Sequence, residues 1–233
     1  MKDRHEKGKT ARPLKTRVKT ARGRKSSSTR WLQRQLNDPY VARAKASGFR
    51  SRAAFKLIEI DEKLGLLREG QTVIDLGAAP GGWSQVAAEK VGTEAGKGRV
   101  IAIDRLPIDP IAGVEIIEMD FMDRDAPDRL KAHLGGSANL VLSDMAPNTT
   151  GHRQTDHWRS MALCEAAMDF AASVLVEGGG FVAKVLRGGT EAGLLTALKK
   201  DFEKVRHVKP QSSRSDSNEM FVVATGFRAT ERD

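Results

Sequence analysis

A short apolar segment followed by a glycine-rich turn constrains the fold of this chain more than any other feature. Residues Thr72 to Leu76 are mostly apolar and contain one carboxylate, Asp75, which fits a strand buried on both faces of a parallel sheet. Three glycines then permit a sharp turn and a close approach of the backbone to a ligand: Gly77, Gly81 and Gly82. Residues Trp83 to Val91 are expected to continue as a helix. Because a buried carboxylate is costly unless it binds backbone amides or a ligand, this segment predicts a ligand crevice.

The spacing of the glycines narrows the choice of ligand. A dinucleotide-binding turn has the pattern Gly-x-Gly-x-x-Gly and a P-loop ends in Gly-Lys-Ser or Gly-Lys-Thr, and neither pattern is present. The pattern from Asp75 to Gly82, Asp-x-Gly-x-x-x-Gly-Gly, resembles motif I of the S-adenosylmethionine (SAM)-dependent methyltransferases. That resemblance implies a turn that makes room for the methionine end of SAM. Since a strand, glycine loop and helix occur in many α/β proteins, generic nucleotide binding remains an alternative.

Predicted strands and helices alternate along most of the chain. The predicted strands are 72–77, 99–104, 114–119, 139–144, 180–186, 204–209 and 219–227, and the predicted helices are 40–46, 52–67, 82–91, 125–134, 158–176 and 190–202. Ser51 is expected to cap the helix 52–67. The alternation predicts an α/β, Rossmann-like, mostly parallel and doubly wound sheet of seven strands. The last two strands are joined by a polar loop, so we expect an antiparallel hairpin that contributes one antiparallel strand.

Acidic and aromatic residues follow the second and third predicted strands. Asp104 ends the second strand, and Asp120 and Phe121 follow the third. In an open α/β sheet, ligands bind beyond the carboxyl ends of the strands. We therefore predict that Asp104 accepts ribose hydroxyls and that Asp120 and Phe121 contact an adenine, although either acid could instead be a helix cap or loop residue. Trp83 is expected beside this pocket, where it either contacts the cofactor or packs into the core.

Charged residues also mark the remaining strands. Asp144 follows the fourth strand, Lys184 lies within the apolar fifth strand, and Glu219 begins the last one. A lysine within a buried strand needs partners to offset the loss of hydration, and Asp144 is the obvious one. Lys56 lies beside the apolar stripe of the helix 52–67. These charges predict a catalytic cluster, and the alternative is an ion-pair cluster that pins the sheet edge.

The positive charge of the chain is concentrated at its N-terminus. Residues 1–30 hold 12 of the 39 Lys and Arg residues against Asp3 and Glu6, whereas the rest of the chain has 27 basic and 28 acidic residues. A segment so charged and so poor in apolar residues is expected to be disordered alone and to bind a polyanion. A solubilising tail and a mitochondrial transit peptide are the alternatives. Residues 31–233 are expected to form one domain.

Composition excludes several classes of protein. No apolar run approaches the roughly 18 to 20 residues of a membrane span, and the first 25 residues contain no signal-peptide segment. A single cysteine, Cys164, rules out internal disulfides and fits a reducing cytosol. The histidines His152, His157 and His207 show no metal-binding spacing, so no metal is predicted. We expect a cytoplasmic protein without a membrane partner, and a monomer.

The charged cluster and motif I together resemble the FtsJ/RrmJ (RlmE) family of ribose 2′-O-methyltransferases. The similarity extends over roughly residues 29–227 and includes the Lys-Asp-Lys-Glu tetrad of that family, which corresponds here to Lys56, Asp144, Lys184 and Glu219. It implies SAM as cofactor and, as in the bacterial members, methylation of a uridine ribose in large-subunit (23S) ribosomal RNA on the assembled subunit. A catalytically silent RNA-binding ribosome-assembly factor is the alternative. The basic extension at the N-terminus and the residues after Lys184 depart from the family pattern.

The chemistry of the available side chains also favours a hydroxyl as methyl acceptor. Methylation at pyrimidine C5 needs a cysteine nucleophile, and Cys164 lies in an apolar helical run typical of a core residue. A 2′-hydroxyl is a poor acid, so its proton must be taken up as the methyl group arrives. We predict that Lys184 takes it, that Asp144 and Glu219 hold the lysine, and that Lys56 tunes or positions it. An NAD-dependent oxidoreductase is disfavoured by the missing glycine pattern.

Overall fold

The computed structural model describes residues 16–18, 23, 26–148, 150–186 and 191–229. Its helices are α1 (Ser26–Leu36), α2 (Pro39–Ala46), α3 (Ala54–Leu64), α4 (Gly82–Val91), α5 (Ala126–Leu134), α6 (Arg153–Val174) and α7 (Glu191–Asp201). Its strands are β1 (Thr72–Leu76), β2 (Arg99–Asp104), β3 (Val114–Glu118), β4 (Ala138–Ser143), β5 (Leu175–Leu186), β6 (Phe202–Val208) and β7 (Glu219–Phe227). The predicted tail, 1–30, lies largely outside the described residues.

The strands form a seven-stranded sheet in the order β3-β2-β1-β4-β5-β7-β6. Strands β1 to β5 pair in parallel, and β7 is antiparallel to both of its neighbours, β5 and β6. The predicted α/β class and the single antiparallel strand are therefore confirmed. The chain winds outward in opposite directions from β1 and β4, which places a crevice at the carboxyl ends of these two strands.

Side chains that alternate along the strands build one apolar layer on each face of the sheet. On β1, Ile74 packs with the layer that includes α5, α6 and α7, whereas Val73 packs with the layer that includes α3 and α4. All apolar side chains of β1 are almost completely buried. The centre of the sheet is thus covered on both faces, which explains why β1 and β4 are mostly apolar runs, whereas the edge strand β6 carries exposed charged residues.

Two predicted boundaries were wrong at the ends of helices. Helix α3 spans Ala54–Leu64 and is shorter than the predicted 52–67; its C-cap, Gly65, adopts the left-handed conformation with φ of 62°. Its N-cap is Ala53, which provides no side-chain hydrogen bond, so the prediction that Ser51 caps this helix was wrong. Glycine adopts the left-handed region without the steric penalty that a side chain brings. Gly65 therefore terminates the helix there, before the end of the predicted range.

The junction between α6 and β5 also differs from the sequence prediction. The helix spans Arg153–Val174 and the strand follows it at once from Leu175, whereas a helix over 158–176 and a strand from 180 were predicted. Leu175 pairs with Ala138, and Gly180 pairs with Leu140 after a shift in register. The glycines before Phe181 therefore lie within the strand, where sheet pairing outweighs their low strand propensity.

A few contacts connect the residues before α1 to that helix and to the residue that follows it. The backbone N–H of Thr16 donates to Asn37 Oδ1 at 2.7 Å, and that of Val18 donates to Gln33 Oε1 at 3.2 Å. In the part of the chain that the structure describes, no helix is long and apolar enough to cross a membrane.

Candidate active site

The glycine turn after β1 is packed tightly against neighbouring loops. Gly77 has a φ of 75°, and a β-carbon there would lie 2.6 Å from Met145 Cγ. Gly81 has a φ of 107°, and a β-carbon there would lie 2.5 Å from Ile111 Cδ1. Both positions therefore require glycine for its backbone conformation and for space. The turn is held down at the sheet by the N–H groups of Gly77 and Ala78, which both donate to the carbonyl of Ile103.

Asp75 stabilises this turn through a hydrogen bond to the helix that follows it, and it does not line the ligand cavity described below. Its side chain is completely buried, and one carboxylate oxygen accepts a hydrogen bond from Ser84 Oγ at 2.6 Å. The other oxygen has no hydrogen-bond partner among the described residues. Burial raises the pKa of Asp75 from 3.8 to about 7, against the lowering effect of the Ser84 bond and with smaller upward contributions from Asp144 and Asp104. The carboxyl group thus ties β1 to the first turn of α4.

A cavity of about 550 Å³ lies at the carboxyl ends of β1, β2 and β4. Its walls include the predicted residues Gly77, Asp104, Asp120, Phe121 and Asp144. Sequence reasoning missed other residues that line it: Ala79, Arg105, Leu106, Met145, Asn148, Arg159 and Leu163. Met145 immediately follows Asp144 at the end of β4, so its place in the cavity wall could have been predicted from the sequence. Arg159 and Leu163 come from α6, which no strand-end pattern indicates.

Asp104 and Asp120 both accept hydrogen bonds from backbone N–H groups of loops, and both line the cavity. Asp104 accepts the backbone N–H of Ala79 through Oδ2 and that of Leu106 through Oδ1, each at 2.9 Å. Asp120 Oδ1 accepts the N–H of Met122 at 3.0 Å. Because a carboxylate offers about four lone-pair positions, these contacts leave acceptors for a ligand. The two interpretations left open by the sequence, loop cap and ligand acceptor, are therefore compatible.

The remaining predicted cofactor residues lie away from the cavity lining. Trp83 is buried, donates from Nε1 to the carbonyl of Ala53 at 2.8 Å, and packs on Phe221 with ring centroids 5.5 Å apart. Gly81 and Gly82 lie under the loops that carry Ile111 and Ser51. The structure therefore places Trp83 in the core, the packing role that the sequence had left open, because its ring fills the space between α4 and β7.

Three segments around the turn are joined by Arg50, which sequence reasoning missed. Its guanidinium donates to the carbonyls of Pro80 at 3.3 Å, Asp109 at 2.5 Å and Pro110 at 2.6 Å. Its backbone N–H donates to Gln85 Oε1 at 2.8 Å. Arg50 thus fixes the glycine turn to the loop that follows β2. Its backbone acceptors belong to irregular segments, which no residue pattern marks.

The four residues of the predicted tetrad come together from α3, β5, β7 and the segment after β4. Lys184 Nζ donates to Asp144 Oδ1 at 3.0 Å and to the backbone carbonyl of Asp144 at 2.5 Å. Lys56 Nζ lies 2.8 Å from Glu219 Oε2 and 3.8 Å from Asp144 Oδ1. The side chains are between 10% and 18% exposed. Two lysine side chains and two carboxylates therefore form one continuous, mostly buried cluster. The prediction that Glu219 holds Lys184 was wrong, because Glu219 pairs with Lys56 whereas Lys184 pairs with Asp144.

The charge of the cluster acts on Asp144. Burial alone would raise the pKa of Asp144, but the positive charges of Lys184 and Lys56 and their hydrogen bonds outweigh it, so the pKa lies below its ordinary value of 3.8. Glu219 is held on its other side by Ser213, whose hydroxyl donates to Oε1 at 2.9 Å. Ser213 is a further site residue that sequence reasoning missed. At neutral pH, Asp144 is an anion that binds two lysines.

The tetrad lies between the cavity and a second depression. Asp144 lines the large cavity, whereas Lys56 and Glu219 line a groove of about 300 Å³ on the other side. A group held in the cavity and a group held in the groove would therefore meet at the tetrad. This arrangement suits transfer between a cofactor and a second substrate.

Cys164 belongs to the hydrophobic core and lines neither the cavity nor the groove. Cys164 is 2% exposed, and burial raises the pKa of its thiol to about 12, so it is a core residue as predicted. Among the described residues, no group of three or more His, Cys, Asp or Glu side chains is arranged to hold a metal ion.

The fold and the position of the site define a Rossmann-like methyltransferase. The sequence profile described as FtsJ-like methyltransferase matches residues 49–227. The chain therefore belongs to the FtsJ-like methyltransferase family, as the tetrad and motif I predicted.

Curated relatives and a solved structure agree with this assignment. Ribosomal RNA large subunit methyltransferase E of Xanthobacter autotrophicus is 63% identical over 221 residues, which cover 95% of this chain and 87% of the relative. The protein of the same name from Ruegeria pomeroyi is 60% identical, and the match covers 95% of this chain and 97% of the relative. A structure described as a ribosomal RNA methyltransferase from Plasmodium falciparum is 31% identical with a TM-score of 0.68, over 77% of this chain and 98% of that one.

Proposed function

We propose that this protein uses SAM to methylate the 2′-hydroxyl of a uridine ribose in large-subunit ribosomal RNA. The observation that carries the proposal is the Lys184 side chain, which is bound to Asp144 of the cavity wall in a cluster that reaches the groove through Lys56 and Glu219. The names of relatives about 60% identical over most of this chain support ribosomal RNA of the large subunit as substrate. The uridine and the assembled subunit rest on the resemblance of the tetrad.

The residues of the large cavity fit SAM. The cavity volume of about 550 Å³ lies within the range of about 300 to 1,000 Å³ that is usual for small-molecule sites. Asp104 and Asp120 offer acceptors for ribose hydroxyls and an amino group, and Met119, Phe121 and Leu163 provide apolar walls for a base. A larger residue at position 77 would clash with Met145, so the turn keeps its close backbone packing beside this space. When bound, SAM supplies an electrophilic methyl group on a sulfonium.

The hydrogen bonds of Lys184 suit an acceptor of the hydroxyl proton. Lys184 can accept this proton only after its ammonium has released one proton; the amine then keeps two N–H donors, which the carboxylate and the carbonyl of Asp144 accept. The nitrogen lone pair then remains for the 2′-hydroxyl. As the new O–C bond forms and the methyl–sulfur bond breaks, the hydroxyl proton passes to Nζ, and the resulting ammonium is stabilised by the Asp144 anion. Because the attack neutralises a cation, alignment and exclusion of water contribute more than new charge stabilisation.

The two remaining members of the tetrad orient the acceptor. Lys56 is paired with Glu219 and lies 5.5 Å from the centre of the Phe221 ring, so an ion pair and an aromatic face fix its ammonium position. It faces the groove, where it can donate to the oxygen of the incoming ribose. Ser213 in turn fixes Glu219. These residues position the reacting hydroxyl and Lys184 takes its proton.

We also propose that residues 1–30 add electrostatic affinity for RNA without contributing to catalysis. The support is their composition, with 12 basic residues against two acids. Such a segment gains affinity from release of counterions when it meets phosphates. Residues 31–233 are proposed to form the catalytic domain, which acts in the cytoplasm where ribosomal RNA is its substrate.

One incubation tests the proposed reaction. Undermethylated large ribosomal subunits and free ribosomal RNA are each incubated with the protein and SAM that carries a tritiated methyl group, and the RNA is digested to nucleosides. We expect the label in 2′-O-methyluridine. RNA binding with no transferred label would favour the silent assembly factor, and label on a base would contradict the ribose assignment.

A further inference from the structure

Three arginines line the groove beside the tetrad, and they are called here the arginine groove: Arg34, Arg52 and Arg214. Lys56 and Glu219 form the end of this groove that meets the tetrad. Arg34 comes from α1, Arg52 precedes α3, and Arg214 belongs to the loop between β6 and β7. Three distant parts of the chain therefore bring positive charge to the space where the acceptor substrate approaches.

A single buried carboxylate organises two of these arginines. Asp38 Oδ2 accepts hydrogen bonds from Arg52 and, at 3.3 Å, from both Nε and Nη2 of Arg214. The other oxygen, Oδ1, caps α2 by accepting the N–H of Tyr40 at 3.0 Å. The Asp38 side chain is only 7% exposed. The groove and Asp38 together hold four cationic side chains, Arg34, Arg52, Lys56 and Arg214, against three carboxylates, Asp38, Asp216 and Glu219, which leaves a surplus of one positive charge.

The loop that carries Arg214 is braced against α3. Arg52 donates to the carbonyl of Ser212, and Glu59 accepts the Ser212 N–H at 3.0 Å. The guanidinium of Arg52 also lies over the Tyr40 ring, 5.6 Å from its centre. Because these contacts fix Arg52 and the loop in advance, an incoming anion meets donors that are already ordered.

Two of the three arginines, Arg34 and Arg214, retain donors for such an anion. A guanidinium has five N–H groups in a planar fork that matches phosphate geometry. The contacts described above involve Nε and Nη2 of Arg214, whose side chain is 32% exposed, and leave its Nη1 for a ligand, while Arg34 is exposed in the same groove. A neutral polar ligand in the groove would leave this positive charge without a counterion, whereas a phosphate group would neutralise it.

We propose that the arginine groove binds the phosphodiester beside the nucleotide that is methylated. The inference rests on the proposed function, because the 2′-hydroxyl must reach Lys184 and Lys56. In RNA, the 3′-phosphate is attached to the ribose carbon next to the one that bears the 2′-hydroxyl. A ribose at the tetrad therefore places a phosphate in the adjoining groove. Asp38 is the positioning residue that holds Arg52 and Arg214 toward it.

The test uses the full-length protein with Arg34→Gln and Arg214→Gln, and Arg206→Gln as the matched control. Arg206 is an exposed arginine on β6 and does not line the groove. Each groove variant should weaken RNA binding about tenfold, the order for one hydrogen bond to a charged group. Each should also reduce the slope of log affinity against log salt by about 0.7. The control changes charge equally but should retain wild-type affinity within about twofold.

Two further measurements separate this proposal from its alternatives. SAM affinity by calorimetry and the single-turnover rate at saturating RNA should stay at wild-type values in both groove variants. The phosphate site would be overturned if both variants kept the RNA affinity of the wild type, or if they lost no more affinity than Arg206→Gln. Methylation by the wild type would still uphold the proposed function in that case. A lower rate at saturating RNA with unchanged affinity would also overturn the phosphate site, since the arginines would then act on the tetrad. Absence of methylation by the wild type would instead refute the proposed function itself.

Discussion

The buried carboxyl group of Asp75 should make the protein less stable as the pH rises toward neutrality. Its pKa is raised to about 7 in the folded protein, mainly by burial, from an ordinary value of 3.8. Between these two values the unfolded chain releases the proton and the folded protein keeps it. Stability therefore falls by about 1.4 kcal/mol per pH unit across this window. Above the folded pKa both states are ionised and the loss stays constant at about 4 kcal/mol.

The substitution Asp75→Asn isolates this contribution. Asparagine keeps the shape and can still accept the hydrogen bond from Ser84, but it does not ionise in this range. Its amide group replaces a carboxylate oxygen that has no hydrogen-bond partner among the described residues, so it adds a buried donor, which costs about 1 to 3 kcal/mol at every pH. Other groups, such as Glu115 with its pKa lowered to about 2 by Arg99, contribute equally to both proteins. The difference between wild type and variant then reports on the ionisation of Asp75 and on its coupling to Asp144 and Asp104.

Urea denaturation of both proteins, without SAM, measures this difference. Relative to Asp75→Asn, wild type should lose about 2.5 kcal/mol of unfolding free energy between about pH 5 and pH 7.5. Equal slopes in the two proteins would refute the argument, because they would mean that Asp75 is solvated or paired in the folded state. A relative gain in wild-type stability with rising pH would show that its pKa is lowered.

The other expectations concern the cofactor turn and the tail. Asp104→Ala should weaken SAM binding at least about tenfold by calorimetry with an unchanged circular dichroism spectrum, because the N–H groups of Ala79 and Leu106 lose their common acceptor; unchanged affinity would place the ribose elsewhere. Arg50→Ala should raise the KM for SAM about tenfold and leave kcat nearly unchanged, with partial recovery in Arg50→Lys, because the guanidinium joins three carbonyls of two loops; a fall in kcat alone would contradict this. Deleting residues 1–15 should flatten the salt dependence of RNA binding by about 0.7 for each phosphate that the shortened tail no longer neutralises, and it should keep the rate at saturating RNA; a much lower rate would assign the tail to the active site.

The tetrad and the cofactor acids could be predicted because parallel strands end at one edge of the sheet. Asp104, Asp144 and Lys184 each follow or interrupt an apolar run, and the topology brings them together. Lys56 lies on a helix that packs over the same edge, and its role came from the resemblance of its motif. The apolar runs themselves were set by burial on both faces of the sheet.

The residues that join loops could not be predicted in this way. Asp38 and Arg214 are 176 positions apart and meet through irregular segments, where neither periodicity nor strand order specifies a partner. Arg50 binds backbone carbonyls, which every residue has. Trp83 was left open between cofactor contact and packing, since only the position of Phe221 on β7 decides it.

The rate of methyl transfer by Lys184→Arg is the most direct test of the proposed mechanism. Enzyme, SAM and ribosomal substrate are mixed at saturating concentrations, and a single turnover is followed for wild type, Lys184→Arg and Lys184→Ala. A guanidinium keeps the positive charge but cannot take up a proton near neutral pH. Both variants should therefore bind SAM and RNA but transfer the methyl group at least about 10²-fold more slowly, the lower limit for loss of a general base. Near-wild-type transfer by Lys184→Arg would contradict this mechanism and limit Lys184 to orienting its neighbours.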